Sequence, residues 1–166
     1  MLDGTVLIVD APNAGSDSPL AAAALGQRTG YLLIKLGELV LQVAEDTLVP
    51  LGLRARHFNV MAMIAVDASL SQQDLSSLLG LDPNIIVALV DDLEGQQLLT
   101  RQRSPKDRRR YALTLTQKGH DRLDEAHRLM HDAEHDLLAP LSQHEATALR
   151  DLATRVLGPR WPLRHR

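Results

Sequence analysis

The sequence contains no cysteine, which excludes disulfide bonds, thiolate metal sites and cysteine redox sensing. Aromatic residues are scarce as well, at 2% of the chain. Hydrophobic residues make up 45% of the 166 residues, enough for a sizeable core. Because aromatic residues are scarce, that core must consist of leucine, valine, isoleucine and alanine, which favours packed helices. No apolar run reaches the roughly 18 residues of a membrane span, and no signal-peptide core is recognisable. The composition therefore predicts a soluble cytoplasmic protein without a membrane partner.

Catalytic motifs are also lacking. Serine, histidine and aspartate occur, but no GxSxG sequence or P-loop positions them for catalysis. We therefore expect neither enzymatic activity nor a cofactor. His127, His131 and His135 recur every four residues, a spacing that lets two histidines share a divalent metal on one helical face. A solvated helix face produces the same spacing, and the charged neighbours favour this interpretation, so no metal site is predicted.

Apolar residues at three- and four-residue spacing predict two helices in the first half of the chain. The first begins at Pro19 and ends at Pro50, and the second covers residues 54–66. The residues of the second helix that we expect to face inward are Phe58, Met61, Ile64 and Ala65.

The next segment contains the start and stop signals of two short helices. Ser71 is a predicted N-cap, and Asp74 completes a capping box three residues later. Gly80 ends this helix, and Asp82 with Pro83 begins the following one, which extends to about residue 95. Since a hairpin follows, the order is that of a winged helix-turn-helix.

The hairpin is predicted from two extended runs at residues 98–103 and 111–116, separated by a turn that begins with Ser104 and Pro105. Its cations are Arg101, Arg103, Lys106, Arg108, Arg109 and Arg110, and only Asp107 opposes them. This concentration of positive charge, in a chain of formal net charge -3, indicates contacts with phosphate groups. The alternative, a charged tip that is merely solvated, remains open.

Two further helices are predicted, one after Gly119 and one capped by Ser142 with Glu145. The terminal helices carry more apolar surface than one small module can cover, which indicates a homodimer. The predicted fold is mostly α with a small β-hairpin wing, a winged helix-turn-helix with N- and C-terminal dimerisation helices. Its parts are a flexible arm (1–18), a helical dimerisation region (19–53 and 117–158), a DNA-binding region (54–116) and a basic tail (159–166).

Specific motifs resemble the MarR family of bacterial transcriptional regulators. Asp107-Arg108-Arg109, followed by LTLTQKG at residues 113–119, resembles the family's wing signature, and residues 30–61 resemble its first two helices. The resemblance implies a dimer that represses transcription at a palindromic double-stranded DNA operator. It also implies a small ligand, often an aromatic acid, in a crevice between the dimerisation and DNA-binding regions. The candidate ligand contacts are Tyr31, His57 and Phe58.

The same resemblance gives the expected DNA contacts. In the helix-turn-helix they are Ser71, Gln72, Pro83, Asn84, Ile85, Val87 and Ala88, and in the wing Arg101, Arg103, Lys106, Asp107, Arg108, Arg109 and Arg110. It further implies that Asp107 holds one arginine of the wing in place while another enters the minor groove.

Two features depart from the family pattern. Asp91 and Asp92 lie on the expected recognition helix, where they would repel phosphates, and Gln97 replaces a glycine that normally precedes the wing. We therefore expect the wing to supply most of the DNA affinity. A second function stays open, that of a dimeric winged-helix scaffold that binds a protein partner.

Overall fold

The structure is a computed structural model that describes residues 24–103 and 111–158. Its regular elements are α1 (Thr29–Leu48), a short 3-10 helix (Val49–Leu51), α2 (Ala55–Val66), α3 (Gln72–Leu79), α4 (Pro83–Gly95), β1 (Leu99–Arg103), β2 (Tyr111–Leu115), α5 (Gln117–Leu137) and α6 (Gln143–Leu157). The predicted fold class, mostly helical with one antiparallel hairpin, is confirmed.

The chain divides into two compact units, residues 1–42 and residues 43–166. The described part of the first unit includes most of α1, and several of its large apolar side chains are exposed. They are Leu32, Leu33, Ile34, Leu39, Val40 and Leu41. Across residues 24–103 and 111–158, every helix falls short of the length and apolar character that a membrane span requires.

The core of the second unit is aliphatic, as the composition predicts. Its fully buried side chains include Leu48, Leu53, Val60, Met61, Ile64, Leu75, Ile86, Val90, Leu93, Leu98, Leu99 and Leu113. Of the inward residues predicted for α2, Met61 and Ile64 are buried and Phe58 is partly buried. The prediction for Ala65 is wrong, because this residue is exposed in a last helical turn where Val66 is also 87% exposed.

The local signals of the helix-turn-helix are confirmed. The Ser71 hydroxyl accepts a hydrogen bond from the Asp74 amide, and the Asp74 carboxylate accepts one from the Ser71 amide at 2.9 Å. Gly80 ends α3 in the left-handed conformation, with φ of 62°. Asp82 caps α4 by accepting a hydrogen bond from the Asn84 amide at 2.8 Å. These caps satisfy amides at both helix starts and fix the turn between the two helices.

The hairpin register determines which side chains of the wing face the core. Leu99 pairs with Leu115, and Arg101 pairs with Leu113, in the antiparallel ladder. Because side chains two positions apart in a strand share a face, Arg101 lies on the same face as the buried Leu99. The guanidinium of Arg101 is therefore directed toward the core side of the hairpin, where α4 also packs.

The end of α4 is connected to the wing through a residue in an unusual conformation. Gln97 has φ of 61°, in the left-handed region that favours glycine. This is the position where the family resemblance implies glycine. Although the side chain differs, the backbone of Gln97 adopts the conformation that a glycine would adopt readily.

The root of the wing is anchored to the start of α5. Thr116 donates its amide to the Leu98 carbonyl at 3.0 Å and its hydroxyl to the Gln97 carbonyl at 2.7 Å. The same hydroxyl accepts a hydrogen bond from the Gly119 amide at 3.0 Å, which caps α5. A Cβ atom on Gly119 would lie 1.9 Å from the Leu98 carbonyl oxygen, so this close approach requires glycine.

Candidate nucleic-acid interface

Helix α4 presents a small, uncharged outer face. Asn84, Val87 and Ala88 are exposed on it, and the opposite face is buried through Ile86 and Val90. Spacing of three and four residues places Asn84, Val87 and Ala88 along one uncharged stripe, and Asp91 follows at the next position of the same face. Residues 71–95 contain five acidic residues and no lysine or arginine. The helix-turn-helix therefore has the opposite charge to most surfaces that contact phosphate.

Two acidic residues near the end of α4 are paired with one cation of the same chain. Arg101 of β1 forms ion pairs with both Asp91 and Glu94, one through each terminal guanidinium nitrogen. Burial opposes the charged form of Arg101, but the two carboxylates outweigh it and raise its pKa. The pairing offsets part of the negative charge of α4 and joins this helix to the first strand of the wing.

Asp92 is paired with a buried histidine. Its carboxylate lies 3.1 Å from Nε2 of His57, which is 6% exposed. The other ring nitrogen, Nδ1, accepts a hydrogen bond from the Arg54 amide at 3.1 Å and so caps the start of α2. This arrangement requires the neutral imidazole with its proton on Nε2. Burial lowers the pKa of His57, and the attraction of Asp92 offsets this only in part.

Acidification is expected to destabilise the fold through His57. Protonation would place a hydrogen on Nδ1, which accepts the Arg54 amide, and would charge a buried ring. The pKa of His57 in the folded state lies below its unfolded value of about 6.5. The contribution of neutral His57 to the free energy of unfolding is therefore complete above about pH 6.5, and it is lost as the pH falls toward the folded-state pKa. For one proton, the free energy of unfolding can fall by at most about 1.4 kcal/mol per pH unit.

The measurement is the urea midpoint between pH 7.5 and pH 5.5 for the wild type and a His57→Gln variant. The variant should be less stable at pH 7.5 but lose less stability on acidification. His135→Gln is the matched control, since this ring is 79% exposed. An equal pH dependence in wild type and His57→Gln would contradict the assignment.

The remaining predicted DNA contacts differ in their exposure. Ser71 is buried in its capping box, whereas Pro83 is exposed at the start of α4. Gln72 is partly buried, and its amide nitrogen has no hydrogen-bond partner among the described residues. Ile85 is partly buried beside the exposed stripe. Arg103 is the last residue of β1, and residues 106–110 lie outside the part that the structure describes.

Two cations that the sequence analysis did not single out hold the base of the interface. Lys118 donates to the Gln96 carbonyl at 2.8 Å, and Arg122 donates to the Leu51 carbonyl. Both carbonyls lie at chain reversals, at the ends of α4 and of the 3-10 helix. Both cations lie on the first two turns of α5, four residues apart and therefore on the same face of the helix. This spacing is the sequence signal for their shared anchoring role.

The predicted ligand contacts are distributed over both units. Tyr31, in the first unit, lines a shallow depression together with Leu25, Arg28, Thr29, Gly30 and Ile34. In the second unit, His57 is engaged by Asp92 and Arg54, and the Phe58 ring contacts the His127 ring edge-on at 4.9 Å. No group of three potential metal ligands occurs among residues 24–103 and 111–158.

Comparison with known proteins identifies relatives of this arrangement. The MarR family model matches residues 53–111. A putative transcriptional regulatory protein for the hcr operon of Thauera aromatica is 33% identical over 99 residues, and the match spans 60% of this chain and 60% of that protein.

Solved structures extend the similarity to most of the chain. A MarR-family transcriptional regulator from Rhodococcus sp. RHA1 is 30% identical, with 81% of this chain and 96% of that chain covered and a TM-score of 0.73. The transcriptional repressor CouR bound to a 23-mer DNA duplex is 29% identical, with 84% and 99% covered and a TM-score of 0.76. CouR from Rhodococcus jostii RHA1 bound to p-coumaroyl-CoA is 31% identical, with 81% and 95% covered and a TM-score of 0.70.

Family membership also confirms the expectation that the chain is not an enzyme, because the family consists of transcriptional regulators. The wing, the capped helix pair and the extent of these matches lead to one conclusion: the chain belongs to the MarR family of DNA-binding transcriptional regulators.

Proposed function

We propose that this regulator is a ligand-responsive repressor that binds a palindromic DNA operator as a homodimer. The main supporting observation is the exposed, uncharged stripe of α4, whose neighbouring acids are paired within the chain by Arg101 and His57. The positive charge of Arg101 reduces the repulsion that Asp91 would exert on a DNA backbone, and the hydrogen bond from His57 holds the Asp92 carboxylate in place. A DNA-binding regulator must work where the DNA lies, so the proposal places the protein in the cytoplasm.

The dimer is supported by exposed apolar side chains on the terminal helices. Helix α6 exposes Leu152, Val156 and Leu157. The exposed apolar residues of α1 are Leu32, Leu33, Ile34, Leu39, Val40 and Leu41. Exposed apolar area of this kind is typical of protein–protein interfaces. A two-fold dimer would present two copies of α4 to the two halves of a palindrome.

Ligand response is supported by CouR, which has been crystallised with p-coumaroyl-CoA. We propose that an aromatic acid or its acyl thioester acts on this regulator, with Tyr31, His57 and Phe58 as candidate contacts. Displacing Asp92 from His57 would remove a contact that links α2 to α4, and we expect a ligand acting there to alter DNA affinity.

The test begins with a DNA duplex that the purified protein selects from a random-sequence pool. Fluorescence anisotropy at several salt concentrations should show affinity that falls linearly with the logarithm of salt. Sedimentation should show a dimer at micromolar concentration, and at least one member of a panel of aromatic acids and thioesters should release the DNA. Absence of DNA binding at low salt would overturn the proposal and favour the protein-binding scaffold.

A further inference from the structure

The stripe on α4 has an unusual chemical composition for a DNA-reading surface. It consists of one amide, Asn84, followed by two apolar side chains, Val87 and Ala88. Val87 is 42% exposed even though valine is normally buried, and Ala88 lies next to it. The next position on the same face, Asp91, is held by Arg101. An apolar patch therefore occupies the middle of the exposed face, between an amide and an acid that is ion-paired with Arg101.

Major-groove chemistry indicates which bases such a surface can recognise. Guanine is most often read by the bidentate donors of arginine or lysine, and residues 71–95 contain neither. Cytosine presents an amino group to acidic acceptors, but Asp91 and Glu94 are already occupied by Arg101. Thymine presents a C5-methyl group that apolar side chains contact, and adenine presents a donor and an acceptor that suit asparagine.

We propose that α4 reads A·T base pairs in the major groove, with Val87 and Ala88 packed on thymine C5-methyl groups and Asn84 paired with adenine. This inference rests on the proposed function, since it specifies the operator of the same interface. It assigns sequence preference to the uncharged stripe and leaves phosphate attraction to the cations of the wing.

The recognition of a methyl group can be separated from other causes of A·T preference. Replacing thymine by uracil removes only the C5-methyl, which lies in the major groove, and keeps both the pairing with adenine and the minor-groove edge. A wing arginine that reads minor-groove width responds to A·T content but makes no contact with this methyl. Uracil substitution therefore tests α4 without directly altering the contacts of the wing.

The experiment uses the duplex selected by the wild type, with each thymine of one half-site replaced in turn by uracil. We expect about a fourfold loss of affinity at each position where a methyl is contacted, the value for burying one methyl-sized group. A Val87→Ser/Ala88→Ser variant should bind the thymine duplex more weakly and no longer distinguish thymine from uracil at those positions. Circular dichroism should show an unchanged fold, because both side chains are exposed.

The matched control is Val66→Ser, which removes the same aliphatic group from a residue that is 87% exposed at the end of α2. It should keep the wild-type ratio of thymine to uracil affinity. Salt-dependent wild-type binding with equal affinity for thymine and uracil at every position would overturn methyl reading and leave the proposed function intact. Discrimination that persists in the double serine variant would overturn the assignment to Val87 and Ala88. Absence of any DNA binding would overturn both proposals.

Discussion

A Gly119→Ala variant should lose about 3 kcal/mol or more of the free energy of unfolding. The new Cβ would lie 1.9 Å from the Leu98 carbonyl oxygen and 2.9 Å from its carbon, and both are backbone atoms that no change of rotamer can move. Relief would require α5 to move away from the root of the wing. That movement would break the hydrogen bonds that Thr116 makes with Leu98 and Gln97.

Urea denaturation followed by circular dichroism measures this loss. Gly95→Ala is the matched control, because nothing lies within 4 Å of the Cβ position at the last residue of α4. The control should be stabilised by roughly 0.5–1 kcal/mol, the ordinary helix preference for alanine over glycine. Similar stability of the two variants would show that the contact between Gly119 and Leu98 is not a tight one.

The second large effect concerns DNA affinity. Replacing Arg108 and Arg109 with alanine should weaken binding to every sequence by roughly 100-fold, if each arginine makes one charge-assisted hydrogen bond to DNA. The slope of log affinity against log salt should become shallower by about 0.9 for each phosphate contact that is lost. An arginine that enters the minor groove would add a further loss at A·T-rich sequences.

Anisotropy titrations at three or more salt concentrations measure both quantities. An Arg128→Ala/Arg150→Ala variant is the matched control, because it removes the same net charge from exposed positions on α5 and α6. This control should change the slope much less. If the two double variants behave alike, the effect reflects net charge and the wing has no special role.

The capping signals made the architecture predictable from sequence. Ser71 with Asp74, Gly80, and Asp82 with Pro83 each act within a few residues, so their effect on the backbone can be inferred without knowledge of the tertiary structure. The hairpin was predictable for the same reason, since its alternating pattern is also local.

The ion pairs of the candidate site could not be inferred in the same way. His57 and Asp92 are separated by 35 positions in the chain, so only the packing of α2 against α4 brings them together. Asp91 and Asp92 were expected to repel phosphates because their partners, Arg101 and His57, lie on other elements of the fold. The direction of Arg101 depends on the hairpin register, and the register was not predicted from the two extended runs.

The uneven placement of charge along the chain has a consequence for the rate of DNA association. Acidic residues predominate in residues 71–95, whereas residues 101–122 contain eight cations and two acids. A diffusing molecule with this asymmetry experiences a torque in the field of DNA, so that its cationic segment arrives first and the acidic helix pair follows. The initial association through the cationic segment would then be fast and salt-sensitive. The later insertion of α4 into the major groove would be slower and nearly independent of salt. Stopped-flow records of DNA binding should therefore contain two phases with different responses to ionic strength.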